Sequence, residues 1–262
     1  MNETIDKRVQ LSPRTLSKVN AGVTIPSYQR NFSSSGWIHV GVGNFHRAHQ
    51  ALVMDRLLHD GVGVEWSIRG VSLLHADKSR TSALQHQGGL YTLVEKYPDG
   101  RWDVRVVGSI RDVLFGPGDP AAVIDALASP EVRIVSLTIT EGGYNGDPVT
   151  GEFLMGTPDV ARDLSRESVP TSVFGVIAEA LSRRRKDGNR PFAVMSCDNI
   201  QANGDVARSM FRAFASEWDA ELGKWVDQNV SFPNSMVDRI TPVTTADDVL
   251  AVSDVIGVVD EV

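Results

Sequence analysis

Trp37-Ile38-His39-Val40 is a short apolar run that ends on Gly41-Val42-Gly43, and a helical pattern starts directly behind it. Phe45, Ala48, Leu52, Met54, Leu57 and Leu58 carry that pattern over residues 45–59, with the spacing of one helix face. A strand that enters a helix through a glycine turn opens a parallel α/β sheet, and few other architectures use it. Gly41 permits the tight turn, and Gly43 lets a dinucleotide pyrophosphate approach backbone that a side chain would block. The free N–H groups at the helix start then face the phosphates. The third glycine of the common G-x-G-x-x-G fingerprint is missing, because His46 stands in its place. On spacing alone, a purely structural turn therefore competes with a nucleotide site.

The rest of the chain repeats the alternation. Strands are predicted over residues 66–73, 132–138 and 192–196, and helices over 77–85, 120–128, 172–186 and 246–253. A longer helix over 203–229 should break near Asp219, and residues 231–240 should be extended. Residues 90–95 and 102–110 read as a hairpin closed by Tyr97-Pro98-Asp99-Gly100, a turn composition. The fold class expected is α/β, Rossmann-like and doubly wound, with a mostly parallel sheet to which the hairpin adds antiparallel strands. Residues 1–35, polar and interrupted by Pro13 and Pro26, read as an extension lying over a domain of residues 36–262.

Composition excludes some functions. The chain has 262 residues and a formal net charge of -7, which argues against nucleic acid as a partner, since phosphate binding needs a basic face. No apolar run nears the ~20 residues that cross a bilayer. The polar start, Met1 to Gln10, lacks a signal-peptide core. With Cys197 as the sole cysteine, no intrachain disulfide forms. A cytoplasmic location is the expectation.

Asp77 follows the second predicted strand, where a carboxylate can hold both adenosine ribose hydroxyls and repel a 2′-phosphate. Its distance from Gly41 exceeds the usual ~20-residue spacing. Asp60 and Glu65 are rival acids, and a helix-start acid is the bland alternative for Asp77. His46 and His49 share a helix face, but a zinc site needs three or four ligands. No metal is expected, and a side chain of this stretch, such as Arg47, should anchor the helix start near the phosphates.

Four runs carry a resemblance: residues 39–50 (His39-Val40-Gly41-Val42-Gly43-Asn44-Phe45-His46-Arg47-Ala48-His49-Gln50), 136–144 (Ser136-Leu137-Thr138-Ile139-Thr140-Glu141-Gly142-Gly143-Tyr144), 195–199 (Met195-Ser196-Cys197-Asp198-Asn199) and 230–242, which includes Phe232-Pro233-Asn234-Ser235-Met236-Val237-Asp238-Arg239. Together they resemble the long-chain mannitol dehydrogenase family from about Trp37 onward. The resemblance implies a Rossmann-type NAD domain, a helical substrate domain and metal-free oxidation of a sugar alcohol to a ketose. Mannitol and fructose are the pair expected, with arabinitol oxidation or fructuronate reduction as alternatives. A non-catalytic nucleotide-binding module is the alternative of another class. Members of this type are often monomers.

The family's general base is a lysine of the second domain in a pattern like K-x-x-x-x-N-x-x-H. Lys224 is followed by Asn229 at the matching place but by Phe232 instead of His, and Lys186 by Pro191 and Val194. The resemblance thus implies a chain that supplies the cofactor domain alone, a fragment inactive by itself. Carried over by position, Gly41, Val42, Gly43, Asn44, Phe45 and Arg47 would line the pyrophosphate, and Asp77 would hold the ribose. Ala76 stands where many relatives have a second acid, so strictness for NAD over NADP stays open. Thr140 and Glu141 would border the nicotinamide, Asn199 would polarise the reacting oxygen, and Asp238 would bind substrate hydroxyls. Against these stand simpler roles: a helix cap for Asn199, with Asn203 as rival, a buried turn acid for Glu141, and a surface pair with Arg239 for Asp238.

Overall fold

A computed structural model describes residues 8–31, 35–237 and 239–262. Asp238 therefore lies outside the described residues. The elements run β1 (Trp37–Val40), α1 (Asn44–Ala48), α2 (Gln50–His59), β2 (Ile68–Ser72), α3 (Lys78–His86), β3 (Tyr91–Lys96), β4 (Trp102–Val107), β5 (Ile110–Phe115), α4 (Pro120–Ala128) and β6 (Ile134–Leu137). Then come α5 (Pro158–Ser165), α6 (Val173–Lys186), β7 (Ala193–Ser196), α7 (Asn203–Trp218), α8 (Ala220–Asn229) and α9 (Ala246–Ile256).

The main sheet has five strands in the order β5-β2-β1-β6-β7, all parallel. The chain leaves β1 toward β2 and β5, then returns to β1's other side as β6 and β7. The direction reverses between β1 and β6, and there an open α/β sheet leaves a crevice beyond its carboxyl ends. Both faces are covered. Ile38 and Val40 of β1 belong to a core shared with α4, α6, α7 and α8, while Trp37 packs into a second core with Leu52 of α2 and Leu84 of α3. Successive strand residues point to opposite faces, so this split makes the fold doubly wound. Each fully buried aliphatic side chain here contributes about 1.5–3 kcal/mol.

The expected hairpin forms, but as a two-stranded sheet of its own, β3 with β4. The run expected to end at residue 110 breaks at Gly108, where a Cβ would lie 2.6 Å from Pro26 and 3.0 Å from the Tyr28 hydroxyl. The chain turns there, and residues 110–115 join β2 in parallel, a fifth strand that periodicity does not reveal. Arg69 of β2 and Asp112 of β5 face each other across this pair in a bidentate contact of 2.7 and 2.8 Å. The helix expected over 45–59 divides at His49, which adopts φ −118° and ψ −81°. The break expected near Asp219 is present, and the Asp219 side chain caps α8 by accepting from Leu222 N at 2.6 Å. Among the described residues no helix is long and apolar enough to cross a membrane.

The chain's two ends meet in a third core, which joins Leu11, Leu90, Val104, Val106, Ile256 and Val258. Gln10 bridges Val259 in parallel, and Leu11 N donates to Val259 O at 2.7 Å.

Candidate cofactor site

Three loops converge at the switch point. The first follows β1. Gly41 has φ +96°, and a Cβ there would lie 2.1 Å from the Thr138 carbonyl oxygen. Glycine is thus imposed twice, by a left-handed backbone and by the loop after β6 touching it. Gly43 N donates to Gly41 O at 2.7 Å, closing the turn. Gly43 itself is extended and precedes α1. Its Cβ direction is open, with nothing nearer than Gly41 O at 3.9 Å. A ligand can approach the backbone on that side. The helix α1 is five residues long, so it offers the unsatisfied N–H groups of a first turn more than a long dipole.

The turn is held from behind by side chains that sequence reasoning passed over. His39 Nε2 lies 3.0 Å from Gly41 O and 2.9 Å from Thr138 Oγ1, and its Nδ1 lies 2.7 Å from Ser136 Oγ. A carbonyl only accepts, so Nε2 carries the proton and Nδ1 accepts from Ser136. Trp37 Nε1 donates to the same Ser136 hydroxyl at 2.6 Å. His46 stacks on His39 with ring centroids 3.4 Å apart, and its Nδ1 meets Gln50 Oε1 at 2.8 Å. Burial, with the repulsion that a protonated His46 would add, pushes His39 well below the ordinary histidine range, and burial pushes His46 down to about 3. Both rings are therefore neutral here. A polar residue inside a buried strand was the available signal, since such groups need partners.

Arg47 is buried and faces inward. Its guanidinium donates to Val42 O at 3.1 Å and Asn44 Oδ1 at 2.8 Å, and it sits over the Tyr91 ring. Tyr91 Oη donates to Arg47 O at 2.5 Å. Arg47 braces the turn that Val42, Asn44 and Phe45 build. Phe45 stacks on His49, ring centroids 5.3 Å apart.

The second loop follows β6. Thr138 Oγ1 donates to Gly41 O at 2.6 Å. Thr140 has φ +64° and ψ +166°, a region that non-glycine residues enter only under constraint. Glu141 opens a short 3-10 turn, Glu141–Tyr144, and is exposed. The buried turn acid is thus not what the fold presents.

The third loop follows β7. The Asp198 carboxylate accepts from Thr140 N at 2.8 Å, Ile139 N at 3.1 Å and Tyr144 Oη at 2.8 Å. Asn199 is exposed, and the residue before α7 is Ala202, in a left-handed conformation, so Asn199 does not cap that helix. Asn203 instead ties the loop to the extended segment, donating to Asp198 O at 3.0 Å and Ser235 O at 2.9 Å. The Cys197 thiol, pushed up to about 11 by burial, accepts from Gln50 Nε2 at 2.9 Å.

Asp77 stands beyond the carboxyl end of β2, whereas Glu65 precedes β2 and Asp60 ends α2. Its side chain makes no cap on α3 and pairs with Arg80. Arg239, beside Asp238, pairs with Glu95 at 2.6 Å. A cleft of about 520 Å3 lies between the hairpin and residues 239–249; it includes Asn44 and Arg47 but not Thr140, Glu141 or Asn199. It adjoins the turn from the side, away from the sheet edge where the three loops meet. Among the described residues no group of three or more His, Cys, Asp or Glu side chains could hold a metal ion.

The family model for the mannitol dehydrogenase Rossmann domain matches residues 35–261. The chain is 45% identical to the polyol:NADP oxidoreductase of Gluconobacter oxydans, over 90% of this chain and 49% of that protein. It is 44% identical to the mannitol 2-dehydrogenase of Phaeosphaeria nodorum, over 96% of this chain and 44% of that protein. Among solved structures, the Pseudomonas fluorescens mannitol 2-dehydrogenase in ternary complex with NAD and D-mannitol superposes with a TM-score of 0.92 at 46% identity, covering 96% of this chain and 51% of that one. The chain spans about half the length of the curated relatives it matches. It belongs to the mannitol dehydrogenase family, and residues 35–261 are that family's Rossmann domain.

Proposed function

We propose that this chain is the cofactor domain of an NAD-dependent polyol dehydrogenase that interconverts a sugar alcohol such as D-mannitol and its ketose. One observation carries the reading. The glycine turn after β1, the Thr140-Glu141 loop after β6 and the Asp198-Asn199 loop after β7 converge at the switch point of a parallel sheet. The open side of Gly43 fits a pyrophosphate lying on Gly41, Val42, Gly43, Asn44 and Phe45, with Arg47 holding the turn from inside.

The oxidised nicotinamide supplies the hydride acceptor. Asp77 holds the adenosine ribose and disfavours a 2′-phosphate. Arg80 offsets part of that charge, which leaves room for NADP, the cofactor in the name of the Gluconobacter relative. Thr140 and Glu141 border the nicotinamide. Asn199 presents an exposed amide that donates to the alcohol oxygen as alkoxide character builds, a stabilisation specific to the transition state. Asp238 holds substrate hydroxyls.

The general base comes from the part of the enzyme that these residues do not include. Lys224 is unsuited to that task. Its hydrogen bond to Glu221 at 2.8 Å raises its pKa further, whereas a base must titrate near the working pH. The same reading gives a small-molecule polyol or ketose as partner and the cytoplasm as location.

The test is to purify residues 1–262 and the intact enzyme, measure NADH binding by fluorescence, and assay fructose reduction with a panel of polyols and hexuronates. NADH binding by both, with turnover by the intact enzyme only, is the expected result. An intact enzyme that binds no nicotinamide cofactor would refute the reading.

A further inference from the structure

We propose that Asp198 is a positioning residue that clamps the backbone at Ile139-Thr140 and so fixes the loop bearing Thr140 and Glu141 against the loop bearing Asn199. Its catalytic consequence rests on the dehydrogenase reading above; the clamp itself does not.

The observations come from different parts of the molecule. Thr140 adopts φ +64° and ψ +166°, a conformation that belongs almost to glycine alone and persists only where the surroundings over-determine it. The adjoining turn, Glu141–Tyr144, packs its Tyr144 inward while Thr140 and Glu141 stay exposed. Besides the Gly143 N–H that donates to Thr140 O at 3.0 Å, the restraint on Thr140 comes from one carboxylate. Asp198 Oδ1 accepts from Thr140 N at 2.8 Å, and Oδ2 accepts from Ile139 N at 3.1 Å and Tyr144 Oη at 2.8 Å. Three donors converge on a group that only accepts. Tyr144 has one proton, and the carboxylate needs it, so Ser196 Oγ, 2.5 Å from Tyr144 Oη, serves as donor to the phenol oxygen. Asp198 is anchored in turn by Asn203, whose amide holds the Asp198 carbonyl at 3.0 Å.

The clamp joins two loops that follow neighbouring parallel strands, β6 and β7. Each carries an exposed polar side chain with no partner among the described residues: Glu141 on one loop and Asn199 on the other. The side chains that stay free belong to the site, and the one between them is committed wholly to backbone and Tyr144. No neutral isostere repeats this arrangement. In Asp198→Asn an amide NH2 takes the place of one oxygen, and it would face either one N–H or another N–H together with a hydroxyl.

The experiment compares intact wild-type enzyme with Asp198→Asn, Thr140→Gly and the double variant. Hydrogen exchange at Ile139 and Thr140 reports the clamp, while NADH affinity, KM and kcat report the site. In Asp198→Asn the two amides should exchange at least ~10-fold faster. Its kcat should fall about 100-fold, the scale of a ~1 Å misplacement, with NADH affinity and KM nearly unchanged. Thr140→Gly removes the need for restraint, so the double variant should recover the thermal midpoint lost by Asp198→Asn. Its kcat should stay about 100-fold below that of Thr140→Gly alone. If Asp198→Asn does not fold, that last pair of proteins carries the comparison. Unchanged exchange at the two amides overturns the clamp. A kcat that returns with the thermal midpoint makes Asp198 merely structural and overturns the positioning role. Absence of NADH-linked turnover in wild type overturns the dehydrogenase reading instead, and exchange alone then decides the clamp.

Discussion

Acid should loosen this domain through the stacked pair His39 and His46. Both rings are fully buried, 3.4 Å apart, and held neutral by burial. Their pKa values in the fold lie below those in the unfolded chain, so between the two values only the unfolded chain takes up the proton. Stability is complete above the unfolded value of ~6.5 and declines as pH falls toward the folded one, which for His46 is about 3. Moving from about pH 7.5 to about pH 5 costs about 2 kcal/mol for each ring that stays neutral in the fold, hence about 4 kcal/mol for the pair. Against a typical total of ~5–15 kcal/mol, that loss is large. Urea unfolding at the two pH values measures it. His46→Gln removes one titrating ring and should roughly halve the pH-dependent loss, whatever its effect at neutral pH. A free energy that falls by less than about 1 kcal/mol, or a loss of the same size in wild type and variant, would show that the pair is not what couples this fold to protons.

Gly41→Ala should cost at least about 2–4 kcal/mol in denaturant unfolding, because its Cβ meets the Thr138 carbonyl and its backbone is left-handed; a variant as stable as wild type would contradict the close approach. Asp77→Ala should weaken NADH and strengthen NADPH binding, and titration of both cofactors with an unchanged ratio would remove Asp77 from the ribose site. In the intact enzyme Asn199→Ala should lower kcat about 100-fold with the thermal midpoint unchanged, since the side chain is exposed and caps nothing; normal turnover would remove Asn199 from the reacting oxygen. Dialysis of the intact enzyme against a strong chelator should leave turnover intact, and a loss that zinc restores would overturn the metal-free reading.

The elements most legible in the sequence were those whose signal is local. β1 and its turn could be read because an apolar run stops on Gly41, and the end of α7 because Asp219 interrupts the pattern and caps α8. β5 was hidden because Arg111 and Asp112 interrupt its apolar residues, and Asp112 finds its partner on a distant strand. α5 was hidden because its sequence is polar and it buries only Val160 and Asp163. At the site, the glycine turn and the loop ends were visible as motifs. The bracing by His39, Ser136 and Asp198 was not. These side chains hold one another or the backbone of another segment, and no spacing rule encodes a partner brought close only by the sheet.

The meeting of the two chain ends has a consequence for biosynthesis. Gln10 reaches Glu261, 251 residues further on, and Leu11 shares a core with Ile256 and Val258. At ~5–20 residues per second on the ribosome, the stretch around Leu11 waits ~12–50 s for its counterpart. The sheet, whose strands lie between those ends, can assemble in that interval, but the face formed by β3, β4 and the two ends cannot. An apolar edge on the nascent domain thus stays open until residues 256–258 emerge, and a chaperone has that window in which to bind it. Deleting residues 8–20 should accordingly release α9.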